Sequence, residues 1–192
     1  MTNTQSHHHI PENAQCVFEG IRNTIYQWDQ EMYDRSTARF ECNRYTDGAF
    51  VVPVLENGNI LLTKQTQPGR ELFVSLPGGG FDIPNEDPLE CAKRELREET
   101  GYTSDDWELW FRFDGTSHVM MYVYYFIARN CQKTQEITPD PGEKIETFEV
   151  NFDTFLEFSS NPEFQHHWNL LPHMYEARLN TKEYKALREK IF

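Results

Sequence analysis

The chain has 192 residues, 38% hydrophobic and 14% aromatic, enough for one full-sized core with a small extension and too apolar for a disordered chain. A formal net charge of −13 excludes duplex nucleic acid as a partner, because no basic stripe is available to neutralise phosphates. No run reaches the roughly eighteen apolar residues of a membrane-spanning helix, so no membrane partner is expected.

The first residues, through His7, His8 and His9, have neither a basic nor an apolar region of a signal peptide, and residues 1–13 read as a disordered tail. Four cysteines, Cys16, Cys42, Cys91 and Cys131, show no pair at zinc spacing, which points to a reducing, cytoplasmic compartment. Residues 14–45 form a short N-terminal β extension. Its candidate strands are Cys16–Phe18, Ile25–Asp29 and Ala38–Cys42, the last following a polar turn at Asp34-Arg35-Ser36. Residues 28–33 read equally as a short helical turn.

Residues 46–192 form the main domain. Ala49–Val54 and Ile60–Gln65 flank Glu56-Asn57-Gly58-Asn59, a strong hairpin signal. Pro53 predicts an edge position or a bulge, since it cannot donate to a ladder. Gln67-Pro68-Gly69-Arg70 is the next turn, and Leu72–Leu76 a strand that leads into three glycines, Gly78 to Gly80. The spacing of Leu89, Ala92 and Leu96 predicts a helix with one apolar face. Asp87 is its cap, Pro88 its first residue, Glu90 the third position of a capping box, and Gly101 its stop. Cys91 reads as a buried thiol. Trp107–Phe113 and Met120–Ala128 are strand-like, the second apolar enough to be central. A polar loop, Asn130–Lys144, precedes a last strand at Ile145–Val150. Helices follow near Thr154–Phe158, over 169–177, and over 181–190, where Thr181 is the cap and Tyr184, Leu187 and Ile191 share a face.

The polar side of the first helix carries Glu95, Glu98 and Glu99, three and four apart near the negative end of its dipole. Like charges repel at that spacing, and carboxylates are disfavoured at a helix C-terminus. Arg94 relieves part of the repulsion through Glu98 at i+4. A hard divalent cation, Mg²⁺ or Mn²⁺, relieves the rest. Beside this stands the plainer reading of a solvated acidic face.

Gly80, five residues, Glu86, seven residues, and then Arg94-Glu95-Leu96-Arg97-Glu98-Glu99-Thr100-Gly101-Tyr102 resembles the complete signature box of the Nudix hydrolases. A looser resemblance to the ADP-ribose and nucleoside-diphosphate-sugar branch extends from Asp47 to Val150. The resemblance implies an α/β fold, a Nudix-type α/β/α sandwich with a mixed β-sheet and, here, a helical C-terminus. It implies metal-dependent hydrolysis, in which water attacks phosphorus while metal ions clamp the developing charge. Glu95, Glu98 and Glu99 map onto the metal ligands, with Glu98 first choice for a bridging role and the Gly79 carbonyl as a further ligand. Gly79 and Gly80 let the loop backbone approach the helix. Glu86 supports the loop–helix geometry, and Arg94 orients the carboxylates more readily than it binds phosphate. The catalytic set is completed by a general base on a late loop. Glu143, with Glu146 three residues on, occupies that place, and His118 is the alternative base or phosphate contact.

Substrate contacts rest on residue type: Arg70 for phosphate, and Trp28, Tyr33 and Phe73 for stacking on a base. In this branch an N-terminal sheet often mediates a homodimer and contributes to the partner's pocket. Two departures narrow the substrate: Ser75 stands where ADP-ribose hydrolases carry a glutamate, and Asp114–Val119 lacks an expected proline. Length favours a small nucleotide-derived substrate in which a nucleoside diphosphate is joined to a sugar, such as ADP-ribose or a nucleotide sugar, cleaved to NMP and sugar phosphate. The alternatives are hydrolysis of a nucleoside triphosphate or another organic pyrophosphate, and a non-catalytic Nudix module that binds nucleotides.

Overall fold

The computed structural model describes residues 10–116, 118–138, 141–165 and 168–192. The three histidines of the N-terminal tail, and Pro139-Asp140 in the late polar loop, lie outside the described residues. The chain divides into two compact units: residues up to Gly48 with Arg112–Val123, and Ala49–Phe111 with Tyr124–Phe192.

The first unit is built on β1 (Gln15–Glu19), β2 (Asn23–Glu31) and β3 (Thr37–Tyr45), paired antiparallel in order. Residues 28–31 continue β2, so the helical turn considered there does not form. The Trp28↔Phe40 register pair joins β2 to β3, with the two ring centroids 6.0 Å apart. Asp34 Oδ1 accepts from the Ser36 backbone N–H at 2.9 Å and closes the tip, where Arg35 takes φ 67°. Ahead of β1, Ala14 N–H donates to Pro11 O at 2.9 Å. The unit also takes in part of the hairpin of β9 (Asp106–Thr116) and β10 (Val119–Lys133). Val119 and Met120 pair parallel with Asn43 and Arg44 of β3, contacts distant in sequence that a split at residue 45 does not anticipate.

The second unit carries β4 (Gly48–Leu55), β5 (Ile60–Thr66), β6 (Phe73–Ser75), β7 (Gly78–Gly80), β8 (Tyr102–Thr103) and β11 (Lys144–Val150). The path runs β10-β4-β5-β11. β5 lies antiparallel to both β6 and β11, with Phe148 opposite Leu62. Gly58 takes φ 79° in the β4–β5 turn, as its asparagine-glycine pair requires. Pro53 is not at an edge: β4 lies between β10 and β5, and the register pair with β5 falls beside it at Val54↔Ile60.

Helix α1 (Pro88–Thr100) packs Cys91, Ala92 and Leu96 against Ala49 and Val51 of β4, Leu61 of β5, and Phe126 and Ala128 of β10. Burying Leu96 contributes about 2 kcal/mol by itself. Residues 125 and 127 of β10 point the other way, by the two-residue period of a strand. Tyr125 stacks on Phe111 at 4.6 Å, and Phe111 meets His173 of α3 (Leu171–Leu179) at 5.0 Å. Helices therefore cover both faces of this sheet, and the architecture is the α/β sandwich with a mixed sheet. The C-terminus adds α2 (Phe152–Glu157), a short 3₁₀ turn at Phe158–Ser160, and α4 (Thr181–Ile191). The cap of α4 is Asn180 rather than Thr181: its side chain accepts from the Lys182 and Glu183 N–H groups. Among the described residues, no helix is long and apolar enough to cross a membrane.

Candidate active site

The ends of α1 are set by local chemistry. Asp87 Oδ1 accepts from the Leu89 and Glu90 backbone N–H groups at 2.9 and 3.4 Å. Glu90 does not complete the capping box; it turns outward to Lys93 at 2.8 Å. Gly101 ends the helix at φ 76°, where a Cβ would lie 2.1 Å from the Gln135 carbonyl oxygen. The loop after β10 closes on this terminus, with Thr138 N–H donating to the Glu98 carbonyl at 2.8 Å.

What distinguishes the helix is that its buried arc contains two carboxylates. Glu95 is 7% exposed and Glu99 4%, alongside Ala92 and Leu96. A solvated acidic face is therefore the wrong description of those two residues, though it suits Glu98, which is partly open to solvent. Glu99 sits under the glycine strand: its Oε2 accepts from Gly78 N–H at 2.9 Å and its Oε1 from Gln65 Nε2 at 3.2 Å. Burial pushes its carboxyl well above the usual range, and the charges of Glu95 and Glu143 push the same way. Glu95 is raised to about 7, first by burial and further by Glu98 and Asp82, against the opposing pull of Arg94. Gly79 stands directly over Glu95, where a Cβ would fall 2.7 Å from Oε1 and 2.9 Å from Oε2. Any side chain at this position would occupy the space of the carboxylate.

Arg94 is the hub. Its Nε and Nη2 grip both Glu86 oxygens at 2.9 and 3.1 Å, and Nη2 also donates to Gly80 O at 3.2 Å. Nη1 donates to Glu95 Oε1 at 2.7 Å and Glu98 Oε2 at 3.2 Å. The Glu86 hydrogen bonds are the largest influence raising the guanidinium above its ordinary value, and in return Arg94 holds the Glu86 carboxyl below its own. One side chain thus ties loop, glycine strand and helix together. Cys91 lies beneath, fully buried, with burial pushing its thiol up, which suits packing and not nucleophilic attack.

The NUDIX domain model matches residues 44–174 of the chain. The chain belongs to the Nudix family. This Nudix pyrophosphohydrolase is 26% identical over 150 residues to an ADP-ribose pyrophosphatase of Bacillus subtilis (strain 168), covering 77% of this chain and 80% of that one. It is 26% identical over 147 residues to the methanol dehydrogenase activator of Bacillus methanolicus, with coverage of 74% and 78%. Its fold matches a crystal structure of an ADP compounds hydrolase with a TM-score of 0.70 at 18% identity, over 88% of this chain and 94% of that chain.

Nudix enzymes generally act with a divalent metal, and the donor set here fits one. Glu99 presents a buried carboxylate served by two neutral donors, and the bare Gly79 leaves the space beside the Glu95 carboxylate free of any side chain of its own. The arrangement differs from the ready-gathered trio expected from helix spacing. Among the described residues, no three Asp, Glu, His or Cys side chains converge as ligands. The physical reason lies in Arg94, which draws Glu95 and Glu98 to its own Nη1.

The remaining expected residues divide sharply. Glu143, in the loop before β11, is half-buried, accepts from Gln67 Nε2 at 2.9 Å, and acts electrostatically on Glu99. Glu146 lies exposed on β11. Arg70 donates to Gln67 Oε1 at 3.3 Å and Gln165 Oε1 at 2.9 Å, and lies 4.4 Å over the Phe73 ring. Phe73, expected to stack on a base, is instead a core side chain, 2% exposed and with Arg70 across it. Trp28, Tyr33 and His118 belong to the other unit, where Tyr33 is fully exposed at the β2–β3 tip and the His118 carbonyl accepts from Asn43 N–H at 2.9 Å. Sequence reasoning missed two contributors, the Gly78 N–H and Gln65. The signal for Gln65 was present: Thr63 and Gln65, two apart, share one face of β5 with the apolar Leu61.

Proposed function

We propose that this Nudix protein hydrolyses the pyrophosphate bond of a nucleoside diphosphate joined to a sugar, ADP-ribose or a nucleotide sugar, giving NMP and a sugar phosphate. The observation that carries the reading is the burial of Glu95 and Glu99 at the glycine strand, with no room for a side chain at Gly79 beside one and Gly78 N–H bonded to the other. Buried carboxylates that keep lone pairs open beside few donors are costly as mere structure and useful as cation ligands. The name of the Bacillus subtilis relative supports the substrate class.

Glu95, Glu98, Glu99 and the Gly79 carbonyl would hold Mg²⁺ or Mn²⁺, which would supply charge neutralisation on the pyrophosphate and an activated water. Arg94, braced by Glu86 and Gly80, keeps Glu95 and Glu98 oriented and limits their mutual repulsion. Glu143 orients the attacking water and takes its proton as the bridging P–O bond breaks. The protein works in the cytoplasm as a homodimer formed through its N-terminal strands, which carry exposed Val17, Phe18 and Phe40.

The test is a product-resolved hydrolysis panel of ADP-ribose, nucleotide sugars, dinucleoside polyphosphates and nucleoside triphosphates, with Mg²⁺ and with chelator. NMP plus sugar phosphate, formed only with metal, is the expected result, and exclusive triphosphate cleavage overturns the substrate class. Glu98→Gln is expected to abolish turnover with the circular dichroism spectrum unchanged. Wild-type turnover in that variant rejects the role given to Glu98.

A further inference from the structure

We infer that Gln65, held by Thr63, is the positioning residue that aims the Glu99 carboxylate. The inference rests on the reading of Glu99 as a metal ligand. A single line of hydrogen bonds crosses the buried interior from β6 to α1. Thr63 Oγ1 donates to the Ser75 carbonyl at 3.1 Å, Gln65 Nε2 donates to Thr63 Oγ1 at 2.9 Å, and the same nitrogen donates to Glu99 Oε1 at 3.2 Å. Thr63 is fully buried, and Gln65, Ser75 and Glu99 are each at most 4% exposed.

The polarity of the line is set at its far end. A carbonyl can only accept, so the Thr63 hydroxyl spends its one proton on Ser75, and its lone pairs face Gln65. The Gln65 amide must then turn its NH₂ toward Thr63, and the second proton of that nitrogen points at Glu99. A reversed amide would set its oxygen against both the Thr63 lone pairs and the Glu99 carboxylate. Gln65 therefore presents only a donor to Glu99. With Gly78 N–H on the other oxygen, both carboxylate oxygens are fixed in place while each retains lone pairs for a further ligand. Ser75 enters the line through its backbone carbonyl alone.

The test reads metal binding directly, by titrating metal-free protein with MnCl₂ and following free Mn²⁺ by electron paramagnetic resonance, with thermal unfolding beside it. Gln65→Leu is expected to weaken Mn²⁺ about 10–100-fold, the usual loss when a partner of a ligand is removed. Thr63→Val frees the amide to rotate and is expected to weaken Mn²⁺ by a smaller factor. Thr63→Ser keeps the hydroxyl and retains the affinity that the valine loses. Wild-type Mn²⁺ affinity in folded Gln65→Leu overturns the inference, as does equal loss in the serine and valine variants. Should Gln65→Leu fail to fold, the Thr63 pair decides alone. Absence of Mn²⁺ binding by the wild-type protein would instead sink the proposed function.

Discussion

Replacing Arg94 by glutamine removes the guanidinium that holds Glu86 at 2.9 and 3.1 Å, Glu95 at 2.7 Å and Glu98 at 3.2 Å. The side chains left behind are not equivalent: Glu86 is 5% exposed and Glu95 10%, whereas Glu98 is 36% exposed and screened by water. Stripping one partner from a buried ion pair costs about 3–5 kcal/mol, because the other charge stays uncompensated. Glu95 can shed part of that cost by taking up a proton, so the lower end, about 3 kcal/mol, is expected for metal-free protein at neutral pH. In a chain of this length that corresponds to a fall in Tm of roughly 6–12 °C. The assay is urea and thermal unfolding followed by circular dichroism, in chelator. A paired measurement separates charge from packing. Glu86→Gln alone destabilises, but in the Arg94→Gln background it restores stability, since the carboxylate it removes no longer has a partner. A loss below about 1 kcal/mol in Arg94→Gln, or two losses that simply add, refutes the account of Arg94 as hub.

The buried carboxylates also set a pH dependence. Between about pH 4.5 and 7 the folded state keeps a Glu95 proton that the unfolded chain has lost, so metal-free protein loses stability as pH rises through that window, by on the order of 3 kcal/mol. Glu99 acts in the same direction. Glu95→Gln is expected to flatten the profile, and a wild-type profile that instead rises over that range contradicts the burial argument. Sedimentation equilibrium is expected to give a dimer that Phe18→Asp converts to monomer; a monomeric wild-type protein removes the proposed role of the N-terminal strands.

The elements legible in advance were those whose cause is local. The asparagine-glycine turn, the Asp87 cap, the Gly101 stop and the apolar face of α1 depend on residues within a few positions of one another, so order along the chain determined them. The glutamate spacing likewise announced that charge was crowded on one helix. Exposure was not legible, because it depends on what lies opposite: only the packing of β4, β5 and β10 against α1 decided that Glu95 and Glu99 are inside and Glu98 is not. The same holds for Phe73, an aromatic suited to a base by type but committed to the core by position, and for Pro53, whose strand gained neighbours on both sides. Gln65 and Glu99 are separated by 34 positions, and no periodicity connects them. The chain by itself determined which chemical groups are present and how each segment coils. Tertiary structure alone decided which carboxylates lose their water and which donors face them, because desolvation is a property of neighbours brought together from distant parts of the chain.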